Sequence, residues 1–539
     1  MKKILIFVLF TGTAFGSTLQ VSPNGPFRTI QSAIDSAKPG DTILIHAGTY
    51  RETVSVTGDW LEITAAPNEE VIITGADTIP ASEWAQEPGK PVWRHTPWTY
   101  EGTTHPNDDF HRLIGRTEQV IADGKLLQQV LQLDQMRIGT FFADEQAKAL
   151  FVWLPDGGDP ARHRMEASVR PLLMNISGHR DTVSHLRFVY ACNRAQMGAL
   201  RIAGSDNLVE DCTVEWTNGN GADLGGERNI TRRLVSRFNG QMGMSGRGTA
   251  NRMEYCTLDG NNVKGFSKNW EAGGIKVWAS RGFQIVRCIA VRNDGPGFWF
   301  DTDNRNELIE GNYAAENNGM GIFVEISETA IVRNNLCVHN GLKDERGSWG
   351  HAGITIGESM HCIVEHNVCV GNRTGIEVRQ IPIRSVGPSR REDRPEEKLY
   401  YSDQHIFREN ISAFNKDWQF ALFGDNVFFG AQPHARPEGP NQDLNLLDPD
   451  KRDWHSGNNL YYAAPGEGFI LWGAKWLEKH TEFQDLQTFE AQHHLEQGSI
   501  AADPLFVDWE HGDFTLQPTS LANAIGAGFT ETPVMPNRH

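Results

Sequence analysis

GIKVW (274–278), GFWFD (297–301), GIFVE (321–325), GITIG (353–357) and GIEVR (375–379) share one pattern, a glycine followed by residues that alternate in character. The successive glycines are 23, 24, 32 and 22 residues apart, and the longest interval holds an extra polar stretch. Apolar residues stand first and third after each glycine, which is the period of a β-strand. A strand that recurs about every 23 residues predicts a β-solenoid, in which each coil stacks on the one before it.

A second strand follows in each coil and ends at a fixed small or polar residue. This residue is Asn312, Asn335 or Asn367 in later coils and Cys212, Cys256 or Cys288 in earlier coils. Stacked amides can hydrogen-bond from coil to coil as an asparagine ladder, and cysteine fits the same interior position as a small buried residue. The chain has 7 cysteines and no CxxC pair, so we expect packing groups rather than a metal site or a disulfide framework.

The N-terminal part carries a resemblance to a known family. PFRTIQSAI (26–34), KPGDTI (38–43) and GTYRE (48–52) resemble the start of right-handed parallel β-helix proteins of the pectate-lyase-like, carbohydrate-active kind. In those proteins a short amphipathic helix caps the first coil, and Ile30, Ala33 and Ile34 have the spacing of one helix face. The resemblance therefore implies an all-β fold, a right-handed parallel β-helix (solenoid) with an N-terminal cap helix.

The coil rhythm divides the chain into regions. Residues 17–84 are predicted to hold the cap and the first coils, and residues 171–424 the main β-helix. Between them, residues 85–170 contain strand-like runs separated by turn residues, which predicts an inserted small β-subdomain. In this respect the chain is similar to β-helical glycoside hydrolases of the β-xylosidase and fucosidase/xylanase kind. Residues 425–539 are predicted to form C-terminal loops and closing strands.

The first residues predict export. Lys2 and Lys3 precede an apolar run, Ile4 to Phe10, and a small-x-small cleavage site at residues 14–16. Residues 1–16 are therefore interpreted as a signal peptide, and the mature protein as secreted or periplasmic. No later run reaches the roughly 18 apolar residues of a membrane span, so we expect no membrane partner. The 50 basic and 68 acidic residues give a net charge of −18, which argues against nucleic acid as a partner.

Two acidic residues stand at the same place in successive coils. Asp301 and Glu325 are 24 residues apart, and stacked strands lie about 4.8 Å apart, so their carboxylates should come within about 5–6 Å. A retaining glycosidase separates its nucleophile from its acid/base by about 5–5.5 Å. Two carboxylates this close also resist joint ionisation, which keeps a proton available. Asp301 and Glu325 are the candidate catalytic pair, with Asp303 as the alternative to Asp301.

Other polar and aromatic residues share the predicted outward face. Trp278 and Trp299 flank the acids, where exposed indoles could pack on sugar rings or could instead pack beneath a loop. Lys276 and Arg379 could bind an acidic sugar or sulfate, or could pair with Glu377 and Asp301. The full set of candidate substrate-binding residues is Trp278, Trp299, Lys276, Glu377, Arg379, Asn304 and His351, the last as part of the wall.

Several interpretations of the acidic group stay open. Asp301, Asp303, Asn304 and Glu325 carry the oxygen ligands that Ca²⁺ prefers, and they could also be a solvated surface. The leading hypothesis is a glycoside hydrolase acting on plant or algal polysaccharide or its oligosaccharides, with no cofactor required. The alternative is a polysaccharide lyase or uronate epimerase, which needs a cation and a base beside an acidic sugar. A third is a carbohydrate-binding solenoid without catalysis.

Overall fold

The computed structural model describes residues 16–99, 113–343, 350–380, 384–387, 398–424, 449–473 and 480–535. The predicted fold is confirmed: the chain is an all-β right-handed parallel β-helix built from three sheets of 13 strands. Each coil contributes one strand to each sheet in turn. The predicted signal peptide, except residue 16, and residues 425–448, 474–479 and 536–539 of the predicted C-terminal region lie outside the described residues.

The strands of the three sheets are as follows. Sheet 1 holds Val54–Val56, Met174–Ile176, Gly198–Ile202, Asn220–Leu224, Met242–Thr249, Gly273–Arg281, Phe298–Arg305, Ile322–Glu328, Ala352–Gly357, Thr374–Gln380, Trp418–Gly424, Ile470–Gly473 and the antiparallel His480–Phe483. Sheet 2 holds Thr18–Val21, Thr42–Ile45, Glu62–Ala65, Thr182–Ser184, Leu208–Glu210, Ile230–Arg232, Arg252–Glu254, Gln284–Val286, Leu308–Glu310, Ile331–Arg333, Ile363–Glu365, Ile406–Arg408 and His455–Gly457. Sheet 3 holds Gly48–Tyr50, Val71–Thr74, Arg187–Val189, Thr213–Glu215, Val235–Arg237, Thr257–Asp259, Ile289–Val291, Tyr313–Ala315, Leu336–Val338, Val368–Val370, Ile411–Ala413, Leu460–Tyr462 and Ile500–Ala501.

The inserted β-subdomain forms two small sheets outside the coils. One contains Ala76–Thr78, Val120–Ala122, Lys125–Leu126 and Met165–Ser168, and the other Trp84–Gln86, Trp93–His95, Gln128–Val130, Thr140–Asp144 and Ala149–Trp153. Two hairpins pair Arg384–Val386 with Lys398–Tyr400 and Phe506–Asp508 with Asp513–Leu516. The α-helices are Ile30–Ile34, Pro449–Arg452, Leu486–His493 and Ala522–Ile525, and the short 3₁₀ turns are Ala81–Glu83, Leu133–Gln135, Pro160–Arg162 and Trp509–His511.

Both ends of the solenoid are covered. At the start, the predicted cap helix Ile30–Ile34 is present, with Ile30, Ala33 and Ile34 buried against the first coils. At the other end, the helix Leu486–His493 places Phe489, which is fully buried, against the last sheet-1 strands. Each helix covers the strand edge and core that an open solenoid would expose to water.

The solenoid interior consists of apolar residues and amide ladders. The first and third residues after each sheet-1 glycine are buried, as predicted. The predicted asparagine ladder is also present: the Asn335 amide donates to Asn367 Oδ1 at 3.0 Å, and the Asn367 amide donates to Asn410 Oδ1 at 3.0 Å. Cys288 continues it, because its backbone N–H donates to Asn312 Oδ1 at 2.7 Å. All 7 cysteines are free and buried, which confirms their packing role.

We predict that Asn367→Ala strongly destabilises the solenoid. The Asn367 side chain also donates to the Val332 carbonyl at 2.9 Å and accepts from the Asn335 backbone N–H, so its loss leaves several buried polar groups unpaired. The free energy of unfolding should fall by about 2–4 kcal/mol in urea titration. Asn24→Ala, at an exposed N-terminal turn, is the control and should change it by less than about 0.5 kcal/mol. Equal effects of the two substitutions would contradict the ladder's role.

Candidate active site

The outer face of sheet 1 places the two candidate acids side by side. Asp301 and Glu325 are direct partners in the parallel register, and Glu325 is followed by Gly357 and then Arg379 in the next coils. A neighbouring column runs from Lys276 through Trp299 and Phe323 to Thr355 and Glu377. In-register stacking therefore brings residues more than 100 positions apart onto one surface.

A stack of cations and rings underlies the acids. The Lys276 Nζ atom lies 4.0 Å from the centre of the Trp299 ring, and Trp299 stacks on Phe323 with centroids 5.5 Å apart. The Arg379 guanidinium lies over the other end, 5.3 Å from the Phe323 ring centre. Of the two interpretations left open for Trp299, its environment fits packing rather than an exposed ring: its residue surface is 3% exposed, because Met320 and Phe323 pack against it. Trp299 supports the acids from below and offers no open face to a sugar.

Glu325 is buried and fixed by two donors. The Trp299 indole N–H donates to Glu325 Oε2 at 3.2 Å, and Arg379 Nη2 donates to Oε1 at 2.5 Å. Burial raises the pKa of the Glu325 carboxyl, and the charges of Asp301 and Glu358 raise it further against the opposing effect of Arg379. A buried carboxylic acid with a raised pKa can carry a proton near neutral pH, as a general acid must.

Arg379 pairs with Glu325 and Glu358, and not with Glu377 or Asp301, the protein carboxylates considered from the sequence. Besides Glu325, it contacts Glu358, whose Oε2 atom lies 3.0 Å from Arg379 Nε. Gly357 stands between the coils of Glu325 and Arg379, and a Cβ atom there would lie 3.2 Å from Arg379 Nη2 and 3.1 Å from the Phe323 ring. Because Gly357 has no side chain, the Arg379 guanidinium has room to reach Glu325.

Asp301 is the more accessible acid. Its side chain is 14% exposed and lies 2.8 Å from the Lys276 ammonium. Lys276 Nζ also donates to the Trp270 carbonyl at 2.7 Å and lies 3.9 Å from Glu271. The Thr302 hydroxyl donates to Asp301 Oδ1 at 2.9 Å. Lys276 thus compensates the charge of Asp301, which was one of the two roles open to it.

Asp303 and Asn304 lie away from this pair. The register shifts after Asp301, where Thr302 and Asp303 adopt left-handed φ values of 61° and 63°. This bulge directs Asp303 toward Arg281, at 3.2 Å, and toward the Tyr400 hydroxyl, at 3.1 Å. Asn304 is fully buried and accepts from the Ser280 backbone N–H, so its predicted contact with substrate is wrong. The bulge interrupts the alternation at Thr302 and Asp303, whereas Asn304 keeps the inward parity of Phe298 and Phe300.

Three further candidates have distinct positions. Trp278 is 41% exposed but lies in an irregular part of its strand and is not the register partner of Asp301. Its ring lies 5.7 Å from the Arg247 guanidinium. Glu377 is fully buried, so its predicted contact with substrate is wrong, and the Gly350 N–H donates to its Oε1 at 3.0 Å. His351, next in the chain, is partly exposed at the rim of the face.

Sequence reasoning missed two partly buried acids near Lys276, Asp223 and Glu271. Asp223 is the register partner of Ser245, which pairs with Lys276, and it accepts from the Ser245 hydroxyl at 2.6 Å. Burial raises the pKa of Asp223 and also that of Glu271. The signal was available for Asp223, because Gly221-Ala222-Asp223 repeats the glycine-led pattern in an earlier coil. Glu271 lies outside any repeat strand and gave no such signal.

The oxygen atoms proposed for Ca²⁺ do not converge. Asp301, Asp303 and Glu325 each contact a cationic side chain, and Asn304 lies inside the solenoid. In the parts of the chain that the structure describes, no group of three or more His, Cys, Asp or Glu side chains is arranged to hold a metal ion. Over the same residues, no helix is both long and apolar enough to cross a bilayer.

Comparison with known proteins supports the fold. Residues 198–369 match the family model for a right handed beta helix region. A structure described as XylC with xylose is similar with a TM-score of 0.63 and 17% identity, covering 91% of this chain and 87% of that chain. A PL6 family polysaccharide lyase from Pseudopedobacter saltans has a TM-score of 0.47 and 10% identity, covering 96% and 99%. No curated protein matches the sequence. At these identities the likeness to XylC shows the shared fold alone.

We predict that Glu377→Gln removes a pH-dependent loss of stability. Burial raises the pKa of Glu377 to about 8, against the opposing Gly350 N–H and Arg379, whereas the ordinary value is 4.5. Between these values the folded state binds more protons than the unfolded state, so stability of the unsubstituted protein falls as pH rises. Glutamine cannot ionise and still accepts from Gly350. The free energy of unfolding of the variant, relative to that of the parent, should therefore increase as the pH rises from 5 to 8.

Urea titrations at several pH values measure this difference. Glu316→Gln, at an exposed turn, is the matched control and should show no comparable trend. A constant difference for Glu377→Gln across the whole range would contradict the buried, protonated state of Glu377.

Proposed function

We propose that the protein is a glycoside hydrolase that cleaves plant or algal polysaccharide, or oligosaccharides from it, with retention of configuration. The observation that carries this proposal is the direct register pairing of Asp301 and Glu325 on sheet 1. Adjacent strands are about 4.8 Å apart, which suits the spacing of about 5–5.5 Å between the carboxyl groups of a retaining enzyme. The two acids also differ in environment, as two different roles require.

The contacts support a specific assignment of roles. Asp301, more accessible and paired with Lys276, acts as the nucleophile: its carboxylate oxygen bonds to the anomeric carbon as the glycosidic C–O bond breaks. Glu325, buried and with a raised pKa, gives its proton to the leaving oxygen. In the second step Glu325 takes a proton from water, and the water oxygen displaces Asp301 from the sugar. Arg379 and the Trp299 indole hold Glu325 in place throughout.

Two further observations favour hydrolysis over elimination or epimerisation. A lyase or epimerase needs a base and a separate cation that neutralises the uronate carboxylate. Among the described residues, Lys276 and Arg379 are the cations that contact Asp301 and Glu325, so each is already paired with a carboxylate of the protein. XylC, which shares the fold, is described with a bound xylose, a neutral sugar. This analogy of fold agrees with the proposal and does not carry it.

We predict that Glu325→Gln and Asp301→Asn each lower turnover by at least about 10²–10⁴-fold, because each removes a group that reacts in the transition state. Reducing ends and unsaturated-uronate absorbance should be followed together on a panel of polysaccharides. The parent should release reducing ends without absorbance, and NMR should show the product first in the substrate's anomeric configuration. Asp303→Asn is the matched control, and it should keep most of the activity if the variant folds.

Absorbance that rises with turnover would instead support the lyase hypothesis. An inverted product would exclude the nucleophile role of Asp301. If the protein binds a polysaccharide of the panel but releases no product from it, the result would support the third hypothesis, a carbohydrate-binding solenoid without catalysis.

We also propose that the protein is exported, secreted or periplasmic, through the signal peptide predicted at residues 1–16. Expression of the full chain should yield a mature protein that begins at Ser17, as read by N-terminal mass spectrometry. Leu9→Arg, which interrupts the apolar run, should keep the uncleaved chain in the cell. An unprocessed wild-type N-terminus outside the cytoplasm would contradict cleavage at this site.

A further inference from the structure

A cavity lies away from the two acids, at the turns that lead from sheet 3 to sheet 1. Its volume is about 910 Å³, within the range of about 300–1,000 Å³ typical of ligand pockets. Its walls come from equivalent turns of successive coils, and the short turn Trp509–His511 closes one side. The acids lie further along the sheet-1 strands, so the cavity and the candidate active site occupy different parts of each coil.

Aromatic rings form the floor of this cavity. Trp509 stacks on Phe414 with centroids 4.8 Å apart and planes inclined by 19°, and His339 lies 6.1 Å from Trp509. Both stacked rings are only partly buried. A Cβ atom at Gly371 would lie 2.6 Å from His339 Cδ2 and 3.4 Å from the Trp509 ring. Glycine at this position, where φ is +66°, therefore leaves the rings room at the floor.

The charges around the rings are balanced. Three cations, Arg292, Lys343 and Lys416, line the cavity together with three acids, Glu316, Glu467 and Glu510. Such a wall offers both donors and acceptors of hydrogen bonds and attracts neither an anion nor a cation as a whole. Burial lowers the pKa of His339, so its imidazole also supplies one donor and one acceptor.

The backbone beside the cavity is held in place by Arg373. Arg373 Nε donates to the Gly341 carbonyl at 3.0 Å, and its Nη2 donates to the Leu342 carbonyl at 2.9 Å. Leu342 lines the cavity and Gly341 precedes it, so these two hydrogen bonds hold the backbone at the cavity wall.

We propose that this cavity is a second carbohydrate-binding site, which holds a neutral oligosaccharide segment while the acids of sheet 1 cleave elsewhere. Flat apolar rings contact the C–H faces of sugars, and the balanced polar rim contacts their hydroxyl groups. The ligand class rests on the proposed function, because the substrate would supply the segment. The site itself rests on the cavity, its rings and its charges.

The test measures binding separately from cleavage. In the Glu325→Gln background, hydrogen-exchange mass spectrometry with neutral pentose or hexose oligosaccharides should show protection of the peptides around 411–418 and 505–516. Trp509→Ala and Lys416→Ala should each weaken that local protection at least about fivefold in ligand concentration. Trp60→Ala, which removes a 56% exposed tryptophan far from the cavity, should leave it unchanged.

Thermal unfolding distinguishes loss of binding from loss of folding, which matters for Trp509 because it also packs in the C-terminal cluster. Lys416 is exposed and keeps the test valid if Trp509→Ala is unstable. Equal protection in Lys416→Ala and the parent, or protection by oligouronates but not by neutral sugars, would overturn the proposal. If the parent enzyme cleaves no glycan yet this protection is present, the proposed hydrolysis fails while the binding site stands.

Discussion

The in-register stacking of parallel strands is the constraint on which the rest of the molecule depends. Each coil places equivalent residues about 4.8 Å apart, so a side chain meets the side chain one coil away rather than its neighbour in sequence. Inside the solenoid this rule generates ladders such as that through Asn335 and Asn367. Outside, it places Asp301 against Glu325. A buried ladder and a reactive pair of acids are thus two outcomes of one geometric repeat.

The same repeat would be unfavourable for two adjacent acids unless other coils supplied compensation. Lys276 lies one coil before Asp301, and Arg379 reaches back across two coils to Glu325. The second contact depends on Gly357, because a side chain there would meet both Phe323 and the guanidinium. Removal of one partner from a buried ion pair usually costs more than the pair contributes. The cations are therefore part of what allows the acids to be buried side by side.

Sequence reasoning predicted the coils well and the environment of the site less well. The glycine-led strands predicted the inward and outward faces, and the predicted core residues are buried. Exposure could not be read from the alternation, because Trp299 and Glu377 point outward yet are covered by Met320 and Gly350. Asp303 could not be placed either, since the bulge at Thr302 and Asp303 interrupts the alternation, whereas Asn304 keeps the inward parity of Phe298 and Phe300. Such irregularities arise from tertiary contacts that a local period does not encode.

The C-terminal segment covers the outer surface of sheet 3, and this packing explains the position of the cavity. Sheet 3 presents apolar outward residues, among them Leu336, Val368 and Ile411, and the C-terminal segment covers them with Phe506 and Phe514. Burial of that surface stabilises the closing hairpin and fixes the turn between its strands. Trp509 lies in that turn, beside the turns that lead to sheet 1. The packing that covers sheet 3 therefore also places the Trp509 ring at the turns that lead to sheet 1, among the charged residues that line the cavity.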